Sequence, residues 1–298
     1  MTDFAFETRS LRKRYGDQPA LDGVDLTLGR GEVLGFVGPN GAGKSTFIKA
    51  LLGLVLPTSG SAMVLGMSVA REASSIRARI GYVPGDLGVY RNWTAEDFLA
   101  FCIGFHPRGD LSRARELARS MELPLRARVR TYSTGMRQKL AIAQALSVHA
   151  ELLLLDEPTR GLDPTSQLEF RDLVRAAQRK GAAVLLSSHI LAEIESMCDR
   201  LVFIDRGRLI DAATIDTLRA RWRGHVYVET NGSDLEMATD LPQGTRVVRA
   251  GPGFRVSFEG DPKPVLEALI ARGLSAIEYN RPTLEDLYRE LYTRESAR

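Results

Sequence analysis

Hydrophobic positions along the chain follow two periods. Near the start, Phe4-Ala5-Phe6-Glu7-Thr8-Arg9 alternates apolar and polar, and Leu21 to Leu28 alternates again, the period of half-buried strands. Arg30-Gly31 turns the chain into the apolar run Val33-Leu34-Gly35-Phe36-Val37, and a helix is expected from about Lys44 to Leu54. From Ser75 to about Ser147 the period is mainly helical, clearest at Arg113 to Met121 and Gly135 to Leu146. Continuous apolar runs return at Leu152 to Leu155 and Ala183 to Ser187, with a helix from about Ser166 to Lys180 between them. Such runs suit parallel strands covered on both faces. The helical stretch, about 86–147, is therefore expected to be a subdomain inserted into an α/β sheet.

A short strand at Arg200 to Ile204 turns at Asp205-Arg206-Gly207-Arg208, and after about Leu218 the pattern changes. His225 to Thr230, Thr245 to Ala250 and Phe254 to Phe258 alternate like antiparallel strands. A helix at Pro264 to Arg272, a strand at Ser275 to Tyr279 and a last helix from Thr283 complete a small α+β domain of ferredoxin-like character. The predicted division is thus 1–218 and 219–298. A chain of 298 residues, 44% hydrophobic and 26% charged, can bury cores of that size.

The longest uncharged apolar stretches, Ala50 to Leu56 and Ala182 to Leu186, fall far short of the ~20 residues needed to span a bilayer. Met1-Thr2-Asp3-Phe4 has no basic start leading into an apolar core, so the cytoplasm is the default compartment. Cys102 and Cys198 form no Cys-x-x-Cys pattern and read as small buried apolar residues. A net charge of +3 is weak for a nucleic-acid binder, and none is expected as a partner. The arginines dense from Arg108 to Arg130 read first as a solvated helix face, with contact to a membrane surface or an acidic partner as the functional alternative.

Gly38-Pro39-Asn40-Gly41-Ala42-Gly43-Lys44-Ser45-Thr46 lies between an apolar strand and a helix and has the spacing that cradles a nucleotide's phosphates. Glycines let the backbone wrap close, so that successive N–H groups point inward, and the following helix adds its positive end. Lys44 supplies a point charge for the β/γ-phosphates and Ser45 a hydroxyl for Mg²⁺. The buried leucine run ends at Asp156-Glu157-Pro158. Both acids then emerge at the carboxyl end of a strand, Asp156 to hold Mg²⁺ and Glu157 to polarise a water for attack on the γ-phosphate.

Three further segments carry a family resemblance. Tyr132-Ser133-Thr134-Gly135-Met136-Arg137-Gln138-Lys139-Leu140 resembles the signature motif of ABC ATPases, Gly161-Leu162-Asp163-Pro164 their D-loop, and Ser187-Ser188-His189 their switch histidine. Tyr15 lies where the family stacks an aromatic ring on adenine. The resemblance covers about residues 4 to 215 and implies a P-loop ABC-ATPase cassette that binds ATP and Mg²⁺. It implies Glu157 and His189 as catalytic residues, and Ser133, Thr134, Gly135, Met136 and Asp163 as nucleotide contacts made across a homodimer of cassettes. It also implies a separate integral-membrane permease that holds this chain at the cytoplasmic face of the membrane.

Thr134 and Met136 replace the usual first glycine and final glutamine of the signature, a variation shared with drug- and polysaccharide-exporter ATPases. Arg281-Pro282-Thr283-Leu284-Glu285-Asp286 resembles the ending of the bacterial daunorubicin-type exporter group. In Ile80-Gly81-Tyr82-Val83-Pro84-Gly85-Asp86, Gly85 stands where the family normally has a glutamine, leaving backbone groups, water or Asp86 as substitutes. The aromatic-rich stretch from Tyr90-Arg91-Asn92-Trp93 to Phe98, Phe101 and Phe105 is where the permease is expected to dock, with Trp93 the better interface residue. Phe98, Phe101 and Phe105 suit the subdomain's own core better than an interface. The competing reading is a soluble ABC ATPase acting on ribosomes or nucleic acid, but those forms usually carry two cassettes or a long coiled coil, and neither sign is present.

Overall fold

The computed structural model describes residues 4–86, 88, 92–188, 190–220, 223–230, 241–259, 261–272 and 274–280. In chain order, β1 (Phe4–Tyr15), β2 (Gln18–Gly29) and β3 (Val33–Val37) precede α1 (Lys44–Leu51), β4 (Ser59–Val64), β5 (Met67–Ser68), α2 (Val69–Arg77) and β6 (Ile80–Val83). Helices α3 (Ala95–Gly104), α4 (Leu111–Ser120) and α5 (Thr134–Leu146) follow. Then come β7 (Leu152–Asp156), α6 (Pro164–Arg179), β8 (Ala183–Ser188), α7 (Leu191–Met197), β9 (Arg200–Asp205), β10 (Arg208–Thr214) and α8 (Ile215–Ala220). The remainder is β11 (Arg223–Thr230), β12 (Arg246–Ala250), β13 (Gly253–Glu259), α9 (Lys263–Ile270) and β14 (Leu274–Asn280). Contacts divide the chain into two compact units, Met1–Ala212 and Ala213–Arg298. The division falls inside β10, a few residues before the predicted change at 218.

In the first unit the order β10-β9-β3-β8-β7-β6 builds one sheet, in which β9, β3, β8, β7 and β6 run parallel. All residues of β3, β7 and β8 are buried, which is why their sequences are continuous apolar runs rather than alternating ones. A second, antiparallel sheet has the order β2-β1-β4-β5. Helix α1 packs in the core shared by both sheets: the Phe47 ring lies 5.8 Å from Phe6 on β1 and 5.0 Å from Phe36 on β3. That contact fixes the helix that follows the glycine loop against both sheets.

Ile80–Val83 falls in the stretch whose period reads as helical, yet it forms the edge strand beside β7. Four residues are too few to set a period, and pairing with β7 decides the matter. The hairpin β4–β5 and strand β10 likewise show no signal of their own in the sequence. Helices α3, α4 and α5 make the inserted subdomain. Thr94 and Asp97 form a reciprocal capping box at the start of α3, and Asp110 caps α4 through the Arg113 N–H. Among the arginines of this region, Arg108 pairs with Glu151 and Arg115 with Glu96, whereas Arg126, Arg128 and Arg130 are exposed. Cys198 is buried and Cys102 half-buried.

In the second unit β12-β13-β11-β14 is antiparallel at every neighbour, the strand order of the split βαβ ferredoxin-like arrangement. Val226, Val228, Phe254, Val256 and Phe258 close its core with Val265 and Leu269 of α9. The helix expected from Thr283, with the Pro282 to Asp286 ending, lies outside the described residues.

Candidate nucleotide site

The glycine loop leaves β3 at Val37 and enters α1 at Lys44. Gly43, the residue before the helix, has φ 110°, and a Cβ there would stand 2.5 Å from the Ala20 carbonyl oxygen on β2. Left-handed backbone and lack of space both require glycine. With no side chain at Gly43 and no acid in the first turn, the first N–H groups of α1 have no side-chain cap. They border a cavity of about 350 Å³ walled by Asn40, Gly41, Gly43, Lys44, Ser45 and Thr46 on one side and Tyr82, Pro84, Gly85, Asp86, Asp156, Glu157 and Arg160 on the other, with Ala20 and Lys49. A capless helix start with cationic side chains around it is a cradle for a polyphosphate.

Lys44 is only 6% exposed. Its ammonium donates to the Gly38 carbonyl at 2.6 Å and the Pro39 carbonyl at 3.1 Å, and Glu157 Oε1 lies 3.8 Å away. Burial pulls its pKa below the ordinary lysine value, while Glu157 and Asp156 pull the other way. Asp156 is buried at the end of β7, where Oδ1 accepts from the Ser187 hydroxyl of β8 at 2.6 Å. The Glu157 N–H donates to the Ser187 carbonyl and to its hydroxyl, both at 3.1 Å. Glu157 itself has φ 50°, a left-handed conformation rare for a side-chain-bearing residue and of a kind concentrated at functional sites. Its carbonyl accepts from the Arg160 N–H at 3.2 Å and from Gln138 Nε2 of α5 at 3.4 Å, so the turn is held from both sides.

The signature residues stand elsewhere. Ser133 caps α5, its hydroxyl accepting from the Met136 N–H at 3.1 Å. Gly135 packs so closely on the Gly161 carbonyl that a Cβ would come within 2.5 Å of it. Asp163 caps α6, accepting from the Ser166 N–H at 2.9 Å and the Ser166 hydroxyl at 2.6 Å. Ser133, Thr134, Gly135, Met136 and Asp163 do not line the cavity of their own chain. Neither does Tyr15, at the end of β1, whose half-exposed ring has the Lys13 ammonium 5.1 Å from its centroid. His189 lies outside the described residues. Gly38, Pro39 and Ala42 belong to the loop's own framework, the first two as acceptors for Lys44 and the third buried.

Sequence reasoning overlooked Ser187, Gln138, Lys49 and Arg160. Ser187 and Gln138 had a signal, since they belong to the Ser-Ser-His and signature segments; Lys49 and Arg160 are brought in only by packing. The phenylalanines also divide differently from expectation. Phe98 is buried, but Phe101 is 40% and Phe105 77% exposed, and they form an edge-to-face ladder with Trp93 at centroid distances of 4.9 and 4.7 Å. Helix α3 has too little subdomain above it to cover the face on which they stand.

Residues 21–160 match the family model described as ABC transporter. The bacitracin transport ATP-binding protein BcrA of Bacillus licheniformis is 38% identical over 239 residues, 79% of this chain and 77% of that protein. The daunorubicin resistance ATP-binding protein DrrA3 of Streptomyces coeruleorubidus is 34% identical over 313 residues, covering 98% and 96% of the two chains. A solved ATP-binding subunit of an ABC transporter superposes with a TM-score of 0.68 at 32% identity, over 72% of this chain and 92% of that one. With its glycine loop and its two strand-end acids gathered in one cavity, the chain belongs to the ABC transporter family, as the ATP-binding, ATP-hydrolysing subunit of an exporter.

Proposed function

We propose that the cavity takes the triphosphate of ATP together with Mg²⁺, and that a second copy of the chain closes it from the open side. The observation carrying this reading is the joining of Lys44 to Glu157 at 3.8 Å beside buried Asp156, in a cavity that the start of α1 borders. Lys44 exchanges its loop carbonyls for β- and γ-phosphate oxygens. The Ser45 hydroxyl and the Asp156 carboxylate are hard oxygen donors, and Mg²⁺ is usually held by one or two carboxylates plus substrate phosphates, so the donor set fits the ion. When bound, the ion supplies neutralisation of the phosphate charge. Glu157 accepts the proton of the attacking water, and His189 is assigned its catalytic role from the family motif alone.

Ser133 to Met136, at the start of α5, and Asp163 are turned to use by the partner copy, since they miss the cavity of their own chain. Tyr15 supplies the adenine platform from the end of β1. No described helix is long and apolar enough to cross a membrane. The solute's path therefore belongs to a separate permease, which would hold this chain at the cytoplasmic face. The ladder of half-buried Trp93 with exposed Phe101 and Phe105 is the surface we assign to it. Residues 219–298 form an accessory domain. The relatives' printed names, bacitracin transport and daunorubicin resistance, favour export over work on ribosomes or nucleic acid.

Glu157→Gln tests the chemistry. The amide keeps shape and polarity but cannot take up a proton, so ATP binding should persist while turnover falls about 10²-fold or more. Unchanged turnover, or ATP affinity lost in step with it, overturns the assignment.

A further inference from the structure

The wall segment 82–86 brings few polar side chains to the cavity. Pro84 and Gly85 carry none, leaving Tyr82 and Asp86. Tyr82 lies on the edge strand β6, paired with Leu154 of β7, and its ring packs against the core cluster. Its hydroxyl has no hydrogen-bond partner among the described residues and is not a buried unsatisfied atom. The phenol is therefore anchored by its ring, with an O–H that no described residue engages and that stays accessible in the wall of a site built for anions.

Its place along the cavity sets which phosphate it meets. Strand β6 runs parallel to β7, which ends at Asp156, and just beyond β6 a Cβ on Gly85 would stand 3.0 Å from Asp156 Oδ2, so the wall that carries Tyr82 closes on the acids. On the function proposed above, from which this inference follows, Glu157 marks the position of the terminal phosphate. We infer that Tyr82 is a binding residue for the γ-phosphate of ATP, its hydroxyl donating to a terminal phosphate oxygen and standing in for the side chain that Gly85 lacks. Burial, with the nearby Asp156 charge, pushes the phenol up to about 12, so it remains a neutral donor at any working pH and cannot serve as the base. The role is distinct from that of Glu157, which accepts.

The test compares nucleotide affinities rather than turnover. In a Glu157→Gln background, Tyr82→Phe removes one oxygen and retains the packed ring. A hydrogen bond to a charged acceptor is worth roughly a tenfold change in affinity. ATP should therefore bind about tenfold more weakly, with ADP affinity and the melting temperature unchanged, as read by calorimetric titration and thermal unfolding. Equal weakening of ATP and ADP would reveal a packing role, and unchanged ATP affinity would mean that the hydroxyl is idle; either result overturns the inference. If the Glu157→Gln parent binds neither nucleotide, it is the nucleotide reading of the cavity that fails, and this inference with it.

Discussion

Glu151→Gln probes what holds the sheet edge opposite the nucleotide cavity. Glu151 precedes β7 and receives a two-pronged contact from Arg79, before β6, at 2.7 and 2.5 Å. Arg108 of the inserted subdomain adds a bond at 2.6 Å, and the Arg30 guanidinium stands 3.6 Å away, just before β3. One carboxylate thus fastens three segments where β3, β6 and β7 begin. The arginines, Arg79 foremost, hold its pKa down at about 2 against an ordinary 4.5. At 1.36 kcal/mol per pH unit that difference corresponds to about 3 kcal/mol at most. The carboxylate is a quarter exposed and Arg108 more so, and screening brings the expected contribution to about 1–2 kcal/mol. For a unit of this size, that is a fall in Tm of about 2–8 °C.

Because the folded pKa lies below the unfolded one, the stabilisation is complete above about pH 4.5 and is lost as the pH falls towards 2. Parent and Glu151→Gln should therefore differ most near neutral pH and converge in acid, in thermal and urea unfolding across that window. ATP affinity should be unaffected, since the network stands at the amino ends of the strands and the cavity at their carboxyl ends. A difference independent of pH, or none at pH 7, would refute the electrostatic reasoning, and a loss of ATP binding would refute the separation of the two edges.

Lys44→Ala removes the one buried cation of the cavity among the described residues and should weaken ATP binding itself, unlike Glu157→Gln; a variant with full ATP affinity in calorimetry would contradict its phosphate role. Tyr15→Ala should weaken ATP and GTP alike by about 1–3 kcal/mol, because a ring face stacks on any purine. Loss of ATP binding alone would point to edge-specific hydrogen bonding at that position.

Much of this protein is legible before folding is considered. The leucine run that becomes β7 could be read as a strand covered on both faces because a strand buried on both sides has no reason to alternate. The loop from Gly38 to Thr46 is legible for a related reason: its chemistry comes from backbone geometry and residues adjacent in sequence, so spacing alone carries it. The alternating segments of the second unit are legible as well, since a sheet covered on one face writes its period directly into the chain.

What required the tertiary structure is everything set by neighbours distant in sequence. Ile80–Val83 is a strand because β7 offers it hydrogen bonds, and its four residues contain no period of their own. Phe105 is exposed while Phe98, seven residues earlier, is buried, because the few helices above α3 cover only part of its face. The placing of Asp156 against Ser187, of Gln138 on the Glu157 carbonyl and of Tyr82 in the wall of the same cavity depends on three strands and a helix meeting. Local sequence determines which groups are present and how each segment prefers to fold; only packing determines which of those groups face the same few ångströms of space, since the strands that share the cavity are joined by segments whose sequence does not specify where their ends meet.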